Sequence, residues 1–247
     1  CLFLLLTTAN ASTVSALAAG EEVSQISILR KYKDIGRNLR VTNKIKNQAR
    51  GLSDEEKTVI KKYVLGAVRG EDTFLLINCN LNGTLDRYIA KKEITNPLKC
   101  RLDYYANQLS VPIRRTKLPQ NMLLYRGVDN KEIQIIFKDK KLDNYITKPI
   151  NDESLKFVKQ KLVGAKYVEK GFMLTSYDIN NTNQTKFVFI VNAPKNLQAV
   201  FVDELCKKNN KEILINKNST WEVTDVTIGV SKKTKQEFYK INIKLVK

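Results

Sequence analysis

Whatever chemistry this chain does, it does without histidine, since none of its 247 residues is one. That removes Ser/His triads, Cys/His dyads and histidine metal sites together, leaving carboxylate, amide, hydroxyl, Lys, Arg and Cys as the groups able to act. The cysteines Cys1, Cys79, Cys100 and Cys206 show no C-x-x-C pairing and no metal-ligand spacing. The remaining candidates lie on short apolar runs in the second half. Arg126 ends Met122-Leu123-Leu124-Tyr125-Arg126, where a guanidinium fork offers paired donors to phosphate oxygens; a surface salt bridge is the plainer alternative. Thr175 and Ser176 offer hydroxyls that can brace a neighbouring strand or line a pocket, or are ordinary strand hydroxyls. Phe172 and Tyr177 can stack on a ring, although an aromatic on a strand is more often core. Glu212 opens the run Glu212-Ile213-Leu214-Ile215 and is either a working carboxylate or a surface glutamate at a strand start.

The elements that must position these groups fall into two halves. From about 23 to 120 the pattern is helical, and from about 121 to 247 it changes to short apolar runs bounded by turn residues. Ser53-Asp54-Glu55-Glu56 has the form of a capping box. It predicts a helix carrying Val59, Ile60, Tyr63, Val64 and Ala67 and ended by Gly70. A second helix is expected to hold Leu81, Leu85 and Ile89, and a third, after Pro97, to carry Leu98, Leu102, Tyr105 and Leu109 on one stripe. Core packing accounts for these stripes. In the second half, strands are expected at 122–126, 171–176, 186–191, 199–202, 212–215, 221–223 and 239–245, with a helix from Glu153 to Leu162. The plan is α+β, a helical N-terminal lobe followed by a mixed two-sheet β core. No Pro/Gly/Ser linker separates the halves and no repeat period appears, so 19–247 reads as a single domain.

The composition, 43% hydrophobic and 28% charged, is globular. A formal net charge of +18 draws in polyanions without naming one, and its Lys and Arg are scattered instead of forming one basic tract. With no RNA- or DNA-binding motif, nucleic acid is not the expected partner. Residues 1–18 read as the remnant of a secretory signal, an apolar Leu-rich run ending at Ala16-Leu17-Ala18, a small-x-small cleavage signature, so the protein is expected to be secreted. A buried N-terminal helix is the alternative. No other stretch approaches a transmembrane length. With Cys1 in the signal, an odd number of cysteines remains, which argues against a disulfide framework; a Cys79–Cys100 bridge stays open.

Three ordered segments carry a resemblance to a known family. They are Leu124-Tyr125-Arg126-Gly127, Gly171-Phe172-Met173-Leu174-Thr175-Ser176-Tyr177, and Asn210-Lys211-Glu212-Ile213-Leu214-Ile215. In order and spacing they resemble the strand-borne arginine, the aromatic-x-Ser-Thr-Ser strand and the Gln/Glu-x-Glu turn of bacterial mono-ADP-ribosyltransferase toxins. The similarity runs from about Gly51 to the C-terminus, with Leu81-Asn82-Gly83-Thr84-Leu85 and Val191-Asn192-Ala193-Pro194 as supporting text. It is nearest to the Rho-modifying exoenzymes and the enzymatic components of actin-modifying binary toxins.

The resemblance implies an ADP-ribosyltransferase-like fold with NAD as substrate and no metal. It implies a host-protein acceptor, with a Rho-type small GTPase as one candidate, and a monomer that can work with a translocation component. It places the catalytic groups at Glu212, Asn210 and Thr175, and the NAD-binding groups at Arg126, Thr175, Ser176, Phe172 and Arg87. Breaking the nicotinamide–ribose bond develops positive charge on the sugar, so a carboxylate beneath the ring favours the transition state over the ground state. Glu212 takes that role and orients a ribose hydroxyl. The loop from Asp178 to Thr185 is expected to lie over the bound dinucleotide. Three positions depart from the pattern. Leu174 replaces the first serine; Asn210 stands two residues before the glutamate; and Asp86, with Arg87 beside it, stands where an NAD-contacting arginine is usual. An amide at Asn210 cannot act as a base, which disfavours an arginine acceptor and favours asparagine, glutamine or water. Leu174 and Asn210 also motivate a second reading, a catalytically silent domain of the same fold that serves as a docking or binding module.

Overall fold

The computed structural model describes residues 47, 49, 51–65, 67–68, 71–138, 142, 148–182, 185–206 and 211–246. The chain divides into a unit of Cys1–Lys44 and one of Ile45–Lys247, and all described residues belong to the second. The expected signal segment, the helix end at Gly70 and Asn210 lie outside the described residues.

Helix α1 (Asp54–Leu65) starts at the expected capping box. The Ser53 N–H donates to Glu56 Oε2 at 2.9 Å and the Glu56 N–H donates to Ser53 Oγ at 3.2 Å. Ala67 is not part of this helix: it lies in the two-residue strand β1 (Ala67–Val68), antiparallel to β2 (Glu71–Asp72). Helix α2 (Thr73–Asn82) likewise stops before Leu85 and Ile89, which were expected to ride on it. Gly83 turns the chain at φ 69°, a left-handed conformation that glycine adopts without a steric penalty, and the Thr84 N–H closes the helix end on the Cys79 carbonyl at 2.8 Å. Leu85 is still buried, on a 3-10 turn over Leu85–Arg87. Helix α3 (Asn96–Arg115) is capped by Thr95, whose hydroxyl accepts from the Leu98 N–H, and it buries Leu102, Ala106, Leu109 and Ile113. One apolar cluster joins these helices to Phe172, Val200, Val202 and Leu214 of the second half. No disulfide joins Cys79 and Cys100.

The β core comprises β3 (Met122–Val128), β4 (Lys166–Glu169), β5 (Met173–Ser176), β6 (Phe187–Ala193), β7 (Ala199–Phe201), β8 (Glu212–Ile215), β9 (Ser219–Val230) and β10 (Glu237–Leu245). Hydrogen bonding runs through all eight in the order β4-β9-β10-β6-β3-β5-β8-β7. The pairing is mixed, with β10 parallel to β6 and the other neighbours antiparallel. The two-sheet expectation takes the form of a five-strand and a three-strand segment, joined between β3 and β5 by the single pair Tyr125↔Ser176. Helix α4 (Asn130–Phe137) follows β3, and α5 (Asp152–Leu162) begins at an Asn151–Ser154 capping box. The one-turn helix α6 (Asp203–Cys206) follows β7. Trp221, Phe187, Phe189 and Tyr239 are fully buried in the five-strand segment.

Among the described residues no helix is long and apolar enough to cross a membrane.

Candidate active site

The strand registers bring Glu212 beside Ser176 and Ser176 beside Tyr125. Directly paired residues of neighbouring strands face the same side of a sheet, so Tyr125, Ser176 and Glu212 form one lateral row across the joint between the two segments. Glu212 is half-buried, and its Oε2 is shielded from solvent. Ser176 is buried, and its hydroxyl accepts from the Asp178 N–H at 3.1 Å, shaping the turn that leaves β5. Tyr125 packs against the small apolar cluster of Val188, Ile190 and Phe238, and burial followed by the charge of Asp178 pushes its phenol pKa up.

Alternation along β5 turns Thr175 to the face opposite Ser176 and Glu212. Its hydroxyl donates to the Ile213 carbonyl at 2.9 Å, bracing β8 one residue past the glutamate. Leu174 shares the face of Ser176 and pairs with Leu214, and it packs against the helical cluster. In place of the family's serine the chain therefore has an apolar contact with the lobe.

Arg126 follows Tyr125 and is engaged at both ends of its fork. Its Nη1 donates to Glu169 Oε2 at 2.9 Å, and its Nη2 is bonded to Glu132 Oε1. The salt-bridge alternative weighed for this residue is thus real, but it is a pair of bridges, and neither partner was expected from the sequence. Burial opposes charge on the guanidinium, yet the two carboxylates outweigh it and hold the pKa of Arg126 above its ordinary value. For Glu132 burial dominates over Arg126, and the pKa is raised. Glu169 also accepts from the Gly171 N–H at 3.1 Å and lies 3.5 Å from Asn82 Nδ2, so a polar chain runs from Arg126 to α2. The apolar side of α2 belongs to the cluster that holds Leu214 and receives Leu174, the same-face neighbours of Glu212 and Ser176.

The other expected residues go elsewhere. Phe172 is buried in the helical cluster, with its N–H donating to Asn78 Oδ1 at 2.7 Å, so its ring is core. Arg87 is exposed on the 3-10 turn after α2. Tyr177 sits 6.0 Å, ring to ring, from Phe201. The loop after β5 begins with a 3-10 turn over Ile179–Asn181; residues 183 and 184 of it lie outside the described residues.

Sequence reading also missed Asp203, whose carboxylate accepts from the backbone N–H groups of Lys211 and Glu212. The available signal for Glu169 was alternation: with Tyr167 it takes the inward positions of β4. Asp203 carried no comparable signal, because it reaches its partners only after β7 and β8 have paired.

The chain matches the family of ADP-ribosyltransferase exoenzymes over residues 30–245. Among solved structures it is similar to Plx2a, an ADP-ribosyltransferase toxin from Paenibacillus larvae, at 19% identity and a TM-score of 0.62, covering 85% of this chain and 94% of that one. It is similar to C3stau2 from S. aureus, solved with NAD, at 14% identity and a TM-score of 0.63, with 85% and 94% covered. It also resembles BECa, an ADP-ribosylating toxin of a binary enterotoxin of C. perfringens solved with NADH, at 18% identity and a TM-score of 0.65, covering 86% of this chain and 48% of that one. Compared with curated proteins, the sequence finds no match. At these identities the structural likeness establishes the fold, and the family match over most of the length establishes membership: the chain belongs to the ADP-ribosyltransferase exoenzymes.

Proposed function

We propose that the protein is a secreted mono-ADP-ribosyltransferase that transfers ADP-ribose from NAD to a host protein, with a Rho-type small GTPase as the first candidate acceptor. The observation that carries this reading is the row Tyr125–Ser176–Glu212 at the joint of the two sheet segments; Arg126 is next along β3, turned by alternation to its other face. In this reading Arg126 offers its unused donors to the pyrophosphate, and Ser176 lines the nicotinamide side. Glu212 lies under the nicotinamide ribose, where its negative charge stabilises the cation that forms as the bond to nicotinamide lengthens. Thr175 acts one step removed, by holding β8. Arg87, exposed after α2, is free to swing toward the adenylate end, and Asn210 presents an amide to the acceptor. The stacking role, open between Phe172 and Tyr177, falls to Tyr177 in this reading, since Phe172 is buried in the helical cluster.

The test is NAD turnover with nicotinamide release as the readout, together with labelling of purified GTPases. Glu212→Gln is expected to lower kcat by about 100-fold or more with KM for NAD little changed, the mark of a group that acts in the transition state. A variant that turns over NAD at the parental rate removes Glu212 from the mechanism. The second reading, a silent docking module, is favoured by Leu174, which packs against the lobe where the family has a hydroxyl. Calorimetry separates the two, because a module with no nucleotide role releases no heat on titration with NAD.

A further inference from the structure

We infer that Asp203 is a positioning residue for the Glu212 carboxylate. This rests on the function proposed above and adds to it a group that acts without touching substrate. Asp203 is buried at the head of α6, and its two carboxylate oxygens divide between two consecutive amides. Oδ1 accepts from the Glu212 N–H at 3.1 Å and Oδ2 accepts from the Lys211 N–H. The carbonyl of Glu212 is taken by the Val202 N–H at 3.1 Å, so both backbone groups of the glutamate are held by the dipeptide Val202-Asp203.

The residue before the glutamate is held just as closely. Lys211 has φ 57°, a left-handed conformation that costs a non-glycine residue energy and persists only where its surroundings over-determine it. The surroundings here are three. Asp203 takes its N–H; the Tyr177 N–H donates to its carbonyl at 3.0 Å; and its Nζ meets Asp178 Oδ2 at 2.6 Å. Asp203 is the only one of the three that also holds Glu212. A carboxylate facing two adjacent N–H groups fixes the plane of the peptide between them, and that plane sets the direction of the Glu212 Cα–Cβ bond. A charged acceptor does this more firmly than a neutral one, and displacement of a reacting group by about 1 Å is enough to cost on the order of 100-fold in rate.

Asp203→Asn keeps the shape but turns one acceptor into a donor that faces an N–H. The measurement is steady-state NAD turnover by the full chain, read as kcat and KM separately, with amide hydrogen exchange of the peptide containing Lys211 and Glu212. The expected result is a fall in kcat on the order of 10- to 100-fold, KM for NAD within about twofold, faster exchange confined to that peptide, and a melting temperature within about 3 °C of the parent. A parental kcat in D203N overturns the inference, and so does an equal loss of kcat and gain of KM with exchange raised throughout, which is the signature of a structural role. If D203N does not fold, Asp203→Ser, which accepts from a single amide, is held to the same outcomes. Absence of NAD turnover in the unaltered chain overturns the proposed function and this role with it; turnover there, with D203N unchanged, overturns this inference alone.

Discussion

Replacing Arg126 with methionine should damage the fold as well as ligand binding, and the two losses should be separable. Methionine keeps most of the hydrocarbon stem and removes the fork. The structure then leaves Glu169, only 6% exposed at its side chain, without the guanidinium at 2.9 Å, and Glu132 without its cation as well. Breaking a buried pair by removing one partner costs about 3–5 kcal/mol. Glu169 retains the Gly171 N–H at 3.1 Å and the Asn82 amide at 3.5 Å, which soften the loss, so a value of about 3 kcal/mol is expected. Adding Glu169→Gln to Arg126→Met takes away the stranded charge while keeping an acceptor for Gly171, and should recover about 1–2 kcal/mol. Urea unfolding of the parent, both single variants and the double variant closes the cycle, and calorimetry with NAD runs beside it. Stability is expected to return in part in the double variant while NAD binding stays lost, since in the proposed function Arg126 is the phosphate donor and is still missing. Losses that add within about 0.5 kcal/mol would show that the two residues are not coupled, and the reasoning about the ion triad would fail.

Gly171→Ala should destabilise by about 1–3 kcal/mol, because the added methyl would meet Asn78 Oδ1 at 2.6 Å and push away the acceptor of the Phe172 N–H; urea midpoints check it. The Asp178–Lys211 pair should leave a mark on acid stability. Burial pushes the Asp178 carboxyl up, but hydrogen bonds from Lys211 and Asn180 outweigh it and hold its pKa below the ordinary 3.8. A carboxyl with a depressed folded pKa contributes stability that is fully present above the unfolded value and lost as pH falls through the folded one. Asp178→Asn should therefore flatten the decline in urea midpoint below pH 3.8, and a decline as steep as the parent's would contradict it. Ser53→Ala should cost about 1 kcal/mol through the lost α1 cap, read by thermal unfolding.

The parts of the fold legible in the sequence are those set by local pattern. The α1 capping box, the stripe of α3, the span of α5 and the short apolar runs of β3 and β8 each carry their signal within a few residues. What was missed depends on partners far away in the chain. The run Trp221–Val223 reads as three residues, yet β9 is 12 residues long, because β10 pairs along it past a bulge at Thr224 and on through Asp225 and Thr227, which no apolar count would include. Helix α4 is only 8 residues and β4 only 4, short enough to be lost between stronger signals. Of the candidate site, Glu212, Ser176 and Arg126 stand out in the sequence because family-like segments surround them, and the row that unites the first two with Tyr125 came from strand pairing. Glu132, Glu169 and Asp203 are ordinary acidic residues in the sequence, and only the folded chain shows that they are bonded to the arginine and to the amides of the glutamate turn.

The lone Tyr125↔Ser176 rung has a mechanical consequence. A sheet resists shear in proportion to the rungs that cross it, and here the ladder thins to one rung in the row of Tyr125, Ser176 and Glu212. Bending of the β9–β10 hairpin is therefore expected to be absorbed at that seam before it reaches β8. On the function proposed above, small rotations about this one residue pair would let the two segments adjust to a bulky, flexible dinucleotide while the strands on either side stay straight.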